Sequence, residues 1–164
     1  MNKWNAVYNA LNIIIILLLL IITICGISSF DTSYSYEIVN QYGENIQMWG
    51  AGIYAHDSYF KAPIFIGSDF TILLFIVPLT IITLLRNKKG SAIDYDIRVS
   101  GILSMLLYYS ASLAFGVTYN SLHLVYILLF GLCFFTVCFK AAKLYAIGIR
   151  QRRVCSYPFT KGMK

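Results

Sequence analysis

The fold is decided by residues Leu11–Ile24, which read LNIIIILLLLIITI and carry no charge. Three further predominantly apolar stretches follow along the chain, at Pro63–Leu85, Val99–Val117 and Leu122–Phe139. Each is long enough for a bilayer-spanning helix, which needs about 20 apolar residues and tolerates about 17. Because backbone amides in hydrocarbon must bond within their own segment, these stretches predict helices rather than isolated strands.

The composition favours lipid as the solvent of a single all-α domain. Of the 164 residues, 59% are hydrophobic and 12% are charged, whereas a soluble domain carries about 25% charged residues. The four cysteines contain no CxxC motif, so neither a redox centre nor a thiolate metal site is predicted. We therefore expect an integral membrane four-helix bundle that holds no cofactor.

Lysine and arginine predict the orientation of the bundle. All but one of the 13 basic residues lie before the first span, between the second and third spans, or at and beyond the end of the fourth. Positive charge stays in the cytoplasm, so both termini are expected inside the plasma membrane, with Lys61 alone outside. This orientation and anionic inner-leaflet lipid explain the basic rim, so nucleic acid is not an expected partner.

Apolar and charged stretches together divide the chain into spans and connections. We expect a first span at 8–28, an outer loop at 29–62, a second span at 63–85, an inner loop at 86–98, a third span at 99–117, a fourth span at 121–145 and a basic cytoplasmic tail at 146–164. Pro63 suits the first turn of the second helix, whereas Pro78 lies deep in that helix and should kink it. A cleaved signal peptide is not predicted, because no small-x-small site follows the first apolar run.

The outer loop is too rich in aromatic residues to be a disordered linker. We expect it to be partly ordered and to fold onto the outer mouth of the bundle, with Trp49 and Tyr54 buried against the helices. Tyr54–Lys61 is expected to form a short interfacial helix. On such a helix Asp57 and Lys61, four residues apart, are able to pair.

The most informative polar residue is Asp69, which lies about 9 Å into the second span at 1.5 Å per residue. A carboxylate at this depth is costly and usually faces a partner inside the bundle. We expect a charge network with Asp57 and Lys61. Asp69 should bond to at least one of four side chains, Lys61, Tyr109, Ser112 or Tyr119. The sequence equally allows Asp69 to lie among lipid headgroups and only anchor the helix.

The polar residues around Asp69 form a candidate ligand-binding set. Its members are Asp57, Lys61, Asp69, Tyr109, Ser112, Tyr119, Asn120 and His123. The serines of the third span fit a packing seam of small residues equally well, and an interfacial histidine is more often a hydrogen-bonding residue than a ligand. No ligand spacing supports a metal or haem site, so we expect neither, and no catalytic residue is assigned.

Residues 52–58 read GIYAHDS, and residues 67–69 read GSD at the start of the second span. This G-[IL]-Y-x-x-D-S element followed by G-x-D resembles a group of uncharacterised bacterial multi-pass membrane proteins. The resemblance covers residues 52–130 and includes the tyrosine-rich third span. It implies a multi-pass membrane fold and points to the outer cluster, but it implies no activity or substrate.

Three classes of function are compatible with these features. The leading hypothesis is a non-enzymatic protein that binds a lipid, a small ligand, or a partner membrane protein or second copy at an outer-leaflet polar pocket. The first alternative is a small membrane-embedded enzyme, with Asp57 and Asp69 as acid and base and Lys61 or His123 binding an anionic group. The second alternative is a channel or transporter subunit, which would need to oligomerise.

Overall fold

The computed structural model describes residues 3–86 and 92–155 of the chain. Within these ranges lie four helices that are long and apolar enough to cross a membrane. They are α1 (Lys3–Ile27), α2 (Lys61–Leu85), α3 (Ala92–Gly116) and α4 (His123–Cys155). The expected all-α class is confirmed at this level, because the chain is mostly helical. Residues 87–91 of the expected inner loop and 156–164 of the expected tail lie outside the described residues.

The four helices pack around a small apolar core. α1 contacts both α2 and α4, and α3 packs along α4 over most of its length. α2 approaches α3 mainly through its second half, Val77–Leu85. The fully or almost fully buried aliphatic side chains include Ile15, Leu19, Ile22, Leu106, Leu113 and Leu129. The outer face of α1 exposes Ile13, Leu17, Ile21 and Ile24, and a helix that is apolar on all sides suits lipid better than water.

α3 and α4 extend beyond the apolar stretches that marked them in the sequence. α3 begins at Ala92, inside the expected inner loop, and α4 continues to Cys155, past the expected span end at residue 145. Charged residues interrupt neither helix, and within the longer α3 Asp96 pairs with two lysines of α4. The limits of the helices therefore differ from the limits placed by hydropathy.

A π-helical turn precedes Pro78, where the sequence predicted a kink. α2 is α-helical over Lys61–Thr71 and Val77–Leu85, and the π turn Ile72–Ile76 joins the two parts. At its end the N–H of Val77 donates to the carbonyl of Ile72, five residues back. Because proline has no N–H and cannot continue the α-helical ladder, a wider turn just before it lets the span continue without a break. Pro63 lies in the first turn of α2, as expected.

The segment between α1 and α2 contains a β-hairpin. Strands β1 (Tyr36–Val39) and β2 (Asn45–Met48) pair antiparallel, with Tyr36 opposite Met48 and Val39 opposite Asn45. In the turn, the Asn40 side-chain oxygen accepts the backbone N–H groups of Tyr42 and Glu44, each at 2.9 Å. The all-α expectation omitted this hairpin.

The prediction of a helix at Tyr54–Lys61 is wrong. A single 3-10 turn covers Gly52–Tyr54, and the chain then folds back along β2. The backbone N–H of Trp49 donates to the carbonyl of Asp57, and that of Gly50 donates to the carbonyl of Ala55. Gly50 has φ +81°, a conformation that side chains disfavour and that this reversal requires.

The predicted burial of Trp49 and Tyr54 is confirmed, with exposed fractions of 1% and 0%. The Trp49 indole N–H donates to the carbonyl of Ser29 at 2.8 Å. The Ser29 hydroxyl in turn accepts the backbone N–H of Ile53 at 2.9 Å. These bonds fix the segment onto the end of α1. We call this end of the bundle, formed by residues 28–60 and 117–122, the loop end.

Candidate functional site

Asp69 is completely buried and accepts two hydrogen bonds from tyrosines. The Tyr54 hydroxyl donates to Oδ2 at 2.8 Å, and the Tyr109 hydroxyl donates to Oδ1 at 2.5 Å. The prediction that Asp69 faces the interior and bonds to one of four named side chains is confirmed through Tyr109. The other three have different contacts: Lys61 pairs with Asp57, the Ser112 hydroxyl donates to the Tyr108 carbonyl, and Tyr119 packs against His123.

The surroundings of Asp69 are closed on the α1 side by a glycine. A Cβ atom on Gly26 would overlap Oδ2 of Asp69 and lie 3.3 Å from the Tyr54 hydroxyl. The Tyr54 hydroxyl is neutral at pH 7, and burial, and secondarily the Asp69 carboxylate, raises the pKa of Tyr54 far above its ordinary value. Asp69 of α2 is therefore bonded to the loop end and to α3 through neutral donors, and it packs closely against α1 at Gly26.

Asp57 forms a second buried centre, 1% exposed, at the loop end. Its Oδ1 accepts the backbone N–H of Thr118 at 3.1 Å and the Thr118 hydroxyl at 2.9 Å. The expected pairing with Lys61 is confirmed at 2.9 Å, although Asp57 precedes α2. Lys61 does not bond to Asp69, so the predicted three-residue charge network does not form. Oδ2 of Asp57 is buried without a hydrogen-bond partner among the described residues.

The remaining candidates lie where α3 passes into α4. The Asn120 side-chain amide donates to the carbonyl of Ile53 at 3.0 Å and to the Tyr126 hydroxyl at 3.5 Å. The His123 ring packs against Tyr119 and Tyr126, with centroids 5.1 and 6.2 Å apart. The structure thus divides the candidate set into neighbouring groups around Asp69, Asp57 and Asn120. In the ranges 3–86 and 92–155, no cluster of three or more His, Cys, Asp or Glu residues has a metal-binding arrangement.

A groove of about 790 Å³ separates α2 from α3 beside the Asp69 centre. Its walls include Tyr109 and carry five further hydroxyl groups, from Ser68, Thr71, Ser104, Tyr108 and Ser112. The four serine and threonine hydroxyls each donate to the backbone carbonyl four residues earlier in their own helix. Because those four hydroxyl protons are already used, the walls present a mainly apolar surface.

The groove begins near the loop end and follows α2 inward. Its α2 residues extend from Ile64 to Ile76, about 18 Å at 1.5 Å per residue. Phe65 lines the end of the groove nearest the loop end, where its ring stacks on Tyr54 and would contact a Cβ atom on Gly116 at 3.2 Å. The Lys61 ammonium lies 5.6 Å from the centre of the Phe65 ring, so a cationic group lies at this end, which we call the mouth of the groove.

The opposite end of the bundle contains an ionic cluster that the sequence reasoning missed. Asp96 of α3 accepts Lys140 at 2.7 Å and Lys143 at 2.5 Å, both from α4. Lys140 is 2% exposed, and its ammonium lies 5.1 and 5.2 Å from the ring centres of Tyr8 and Tyr95. The available signal was the spacing of the two lysines, which places them on one helix face.

Models of known protein families, curated proteins and solved structures provide no match to this chain. Its function is therefore inferred from its own residues and their arrangement.

Proposed function

We propose that the protein is a plasma-membrane protein, with both termini in the cytoplasm, that binds one outer-leaflet lipid in the groove between α2 and α3. The distribution of lysine and arginine supports this orientation. In this orientation the loop end lies outside, and the cluster of Asp96, Lys140 and Lys143 lies inside. The groove is the single observation that carries the proposal, because it opens from the side of the bundle between two spans.

The length and surface of the groove suit an acyl chain. Its extent of about 18 Å along α2 compares with about 15 Å for one half of a hydrocarbon core of about 30 Å. A lipid whose headgroup lies at the loop end would therefore extend its chain along the groove to the middle of the bilayer. A polar ligand would find few free donors there, because the serine and threonine hydroxyls of the walls bond within their own helices.

Lys61 supplies the interaction for the lipid headgroup. Its side chain is 38% exposed while its ammonium pairs with buried Asp57. An ammonium has three donors, so Lys61 retains donors for a phosphate group. The Asp57 pair orients the lysine, and the Phe65 ring below it keeps the ammonium at the mouth of the groove.

The test fills the groove with a bulky side chain and compares lipid binding with that of a variant substituted elsewhere on the surface. Gly67 lines the groove, and no atom lies within 4 Å of a Cβ placed on it, so Gly67→Phe projects a ring into the open space. Gly101→Phe is the matched control. Gly101 is also open to 4 Å but lies outside the groove lining.

Each variant is reconstituted in vesicles of phosphatidylethanolamine and phosphatidylglycerol, extracted, and examined by native mass spectrometry. The wild-type protein and Gly101→Phe should retain one lipid, and Gly67→Phe should lose it. Tryptophan fluorescence establishes that each variant is folded, because Trp49 is buried at the loop end. Equal retention by a folded Gly67→Phe variant would refute the proposal.

A further inference from the structure

One edge of the β-hairpin at the loop end is hydrogen-bonded to another part of the chain, and the other edge is open. On the outer side of β2, the carbonyl of Gln47 accepts the backbone N–H of Tyr59 at 2.9 Å, and Met48 forms a bridge with Ser58. The sheet has two strands. On the outer side of β1, no backbone hydrogen bond is made to any other part of the described chain.

The antiparallel register identifies the backbone groups on this open edge. The N–H of Asn40 donates to the carbonyl of Glu44 at 2.9 Å, which makes these opposed residues a hydrogen-bonded pair. Hydrogen-bonded and non-hydrogen-bonded pairs alternate along an antiparallel ladder, so Glu37 and Val39 direct their N–H and C=O groups away from β2. The outward carbonyl of Gln47, which lies opposite Glu37, agrees with this assignment.

The side chains around the open edge are exposed, apolar and acidic. All four residues of β1 are exposed, and Val39 is 68% exposed. Residues 28–60 contain no lysine or arginine, whereas Asp31, Glu37 and Glu44 carry carboxylates on or beside the hairpin. An unpaired strand with apolar side chains is a template for a further strand.

We propose that β1 is a docking edge for an extended, cationic segment of a partner protein, which adds to the hairpin as a third strand. Main-chain hydrogen bonds to Glu37 and Val39 would supply affinity, as in other strand additions. The carboxylates select the charge of the partner. They also disfavour a second copy of this chain, because pairing two β1 strands would bring together two edges that both carry carboxylates and no lysine or arginine, and like charges repel.

The experiment measures binding of a fluorescent peptide of alternating lysine and valine to the full chain in phosphatidylcholine nanodiscs. These discs have no net lipid charge, and empty discs give the background. Val39→Pro removes the outward N–H and leaves the bonds between β1 and β2 in place, since proline is tolerated at sheet edges. Val39→Thr is the matched control, because it keeps the N–H and the branched side chain.

Val39→Pro should weaken binding about tenfold or more, and Val39→Thr should leave it nearly unchanged. Glu37→Lys should also weaken binding of the lysine peptide. It should strengthen binding of a matched peptide that has glutamate in place of lysine. The Glu37 variant keeps the proposal testable should Val39→Pro disturb the hairpin. The proposal is overturned by equal binding to wild-type protein and Glu37→Lys, or by equal binding of the lysine and glutamate peptides to the wild-type protein.

Discussion

Two buried aspartates at opposite ends of the bundle are stabilised by different chemistry. Asp69, near the loop end, accepts bonds from two tyrosine hydroxyls and has no cationic partner within residues 3–86 and 92–155. Asp96, at the other end, is paired with Lys140 and Lys143. Both carboxylates are almost inaccessible, but Asp69 depends on neutral donors and a close glycine, whereas Asp96 balances a buried lysine.

The difference lies in what each site retains when its carboxylate is removed. At the loop end, the loss leaves tyrosine hydroxyls, which are neutral and able to accept as well as donate. At the other end, it leaves the Lys140 ammonium in an environment where it is 2% exposed. An uncompensated buried charge costs far more than a lost hydrogen bond, so the two aspartates should respond differently to similar substitutions.

The largest expected effect follows removal of the Asp96 charge. Asp96→Asn should lower the free energy of unfolding by about 3–5 kcal/mol, the usual cost of breaking a buried ion pair from one side. Asp69→Asn should cost less, about 1–3 kcal/mol, because an amide oxygen still accepts a tyrosine bond. Unfolding in mixed micelles, followed by circular dichroism, gives both values.

A paired substitution serves as the control for that result. Asp96→Asn combined with Lys140→Met removes both buried charges and should recover part of the loss, since neutral replacements of a buried pair are often tolerated. Similar losses for Asp96→Asn and Asp69→Asn would contradict the distinction between the two ends.

The difference between the two aspartates also explains why the sequence predicted the burial of Asp69 but not that of Asp96. Asp69 is a single carboxylate within a long apolar stretch, so its burial and its need for a partner followed from the cost of charge in lipid. Asp96 lies among the charged residues of 86–98, where hydropathy indicated a solvated connection. The sequence could not predict that α3 starts at Ala92 and brings Asp96 onto a face opposite Lys140.

The four long apolar helices were predictable because the length and composition that a bilayer-spanning helix needs are known. The hairpin was not, because it depends on local turn chemistry at Asn40 and Gly43 within a stretch read mainly for its aromatic residues. The groove depends on how far α2 and α3 separate, which no pattern in a single chain specifies. The burial of Trp49 was predictable from the aromatic content of the loop, but its bond to the Ser29 carbonyl was not.

An intermediate effect is expected at the glycine that contacts Asp69. Gly26→Ala should destabilise the protein by about 1–3 kcal/mol, the usual cost of overpacking a buried contact, because the new methyl group would overlap Oδ2 of Asp69. Gly101→Ala is the control and should be neutral or stabilising, since its Cβ position is open and alanine favours helix.

A double substitution identifies the cause of that destabilisation. Asp69→Ala removes the overlapping oxygen, so Gly26→Ala should cost little in that background, and the double-mutant cycle should give a coupling energy of about 1 kcal/mol or more. If Gly26→Ala costs the same with and without the Asp69 side chain, the close approach of α1 to the carboxylate does not account for the requirement for glycine.

The smallest expected effect on stability follows substitution of Lys143, one of the two lysines that pair with Asp96. Lys143 is 39% exposed, whereas Lys140 is buried between two aromatic rings. Lys143→Met should change the free energy of unfolding by about 0–1 kcal/mol, as for exposed ion pairs, because Asp96 keeps its buried partner. Lys140→Met should cost more, because it leaves buried Asp96 with only a half-exposed cation and removes the contacts with both rings.

Salt provides a second readout that distinguishes the same two lysines. Screening acts on exposed charges and much less on buried pairs, so the contribution of Lys143 should shrink as ionic strength rises, whereas that of Lys140 should persist. The same unfolding measurements at low and high salt, on the wild-type protein and both methionine variants, give the comparison. If the two lysines contribute equally and lose their contributions in parallel as salt is added, then both face solvent, and Asp96 is an ordinary surface carboxylate rather than the buried counterpart of Asp69.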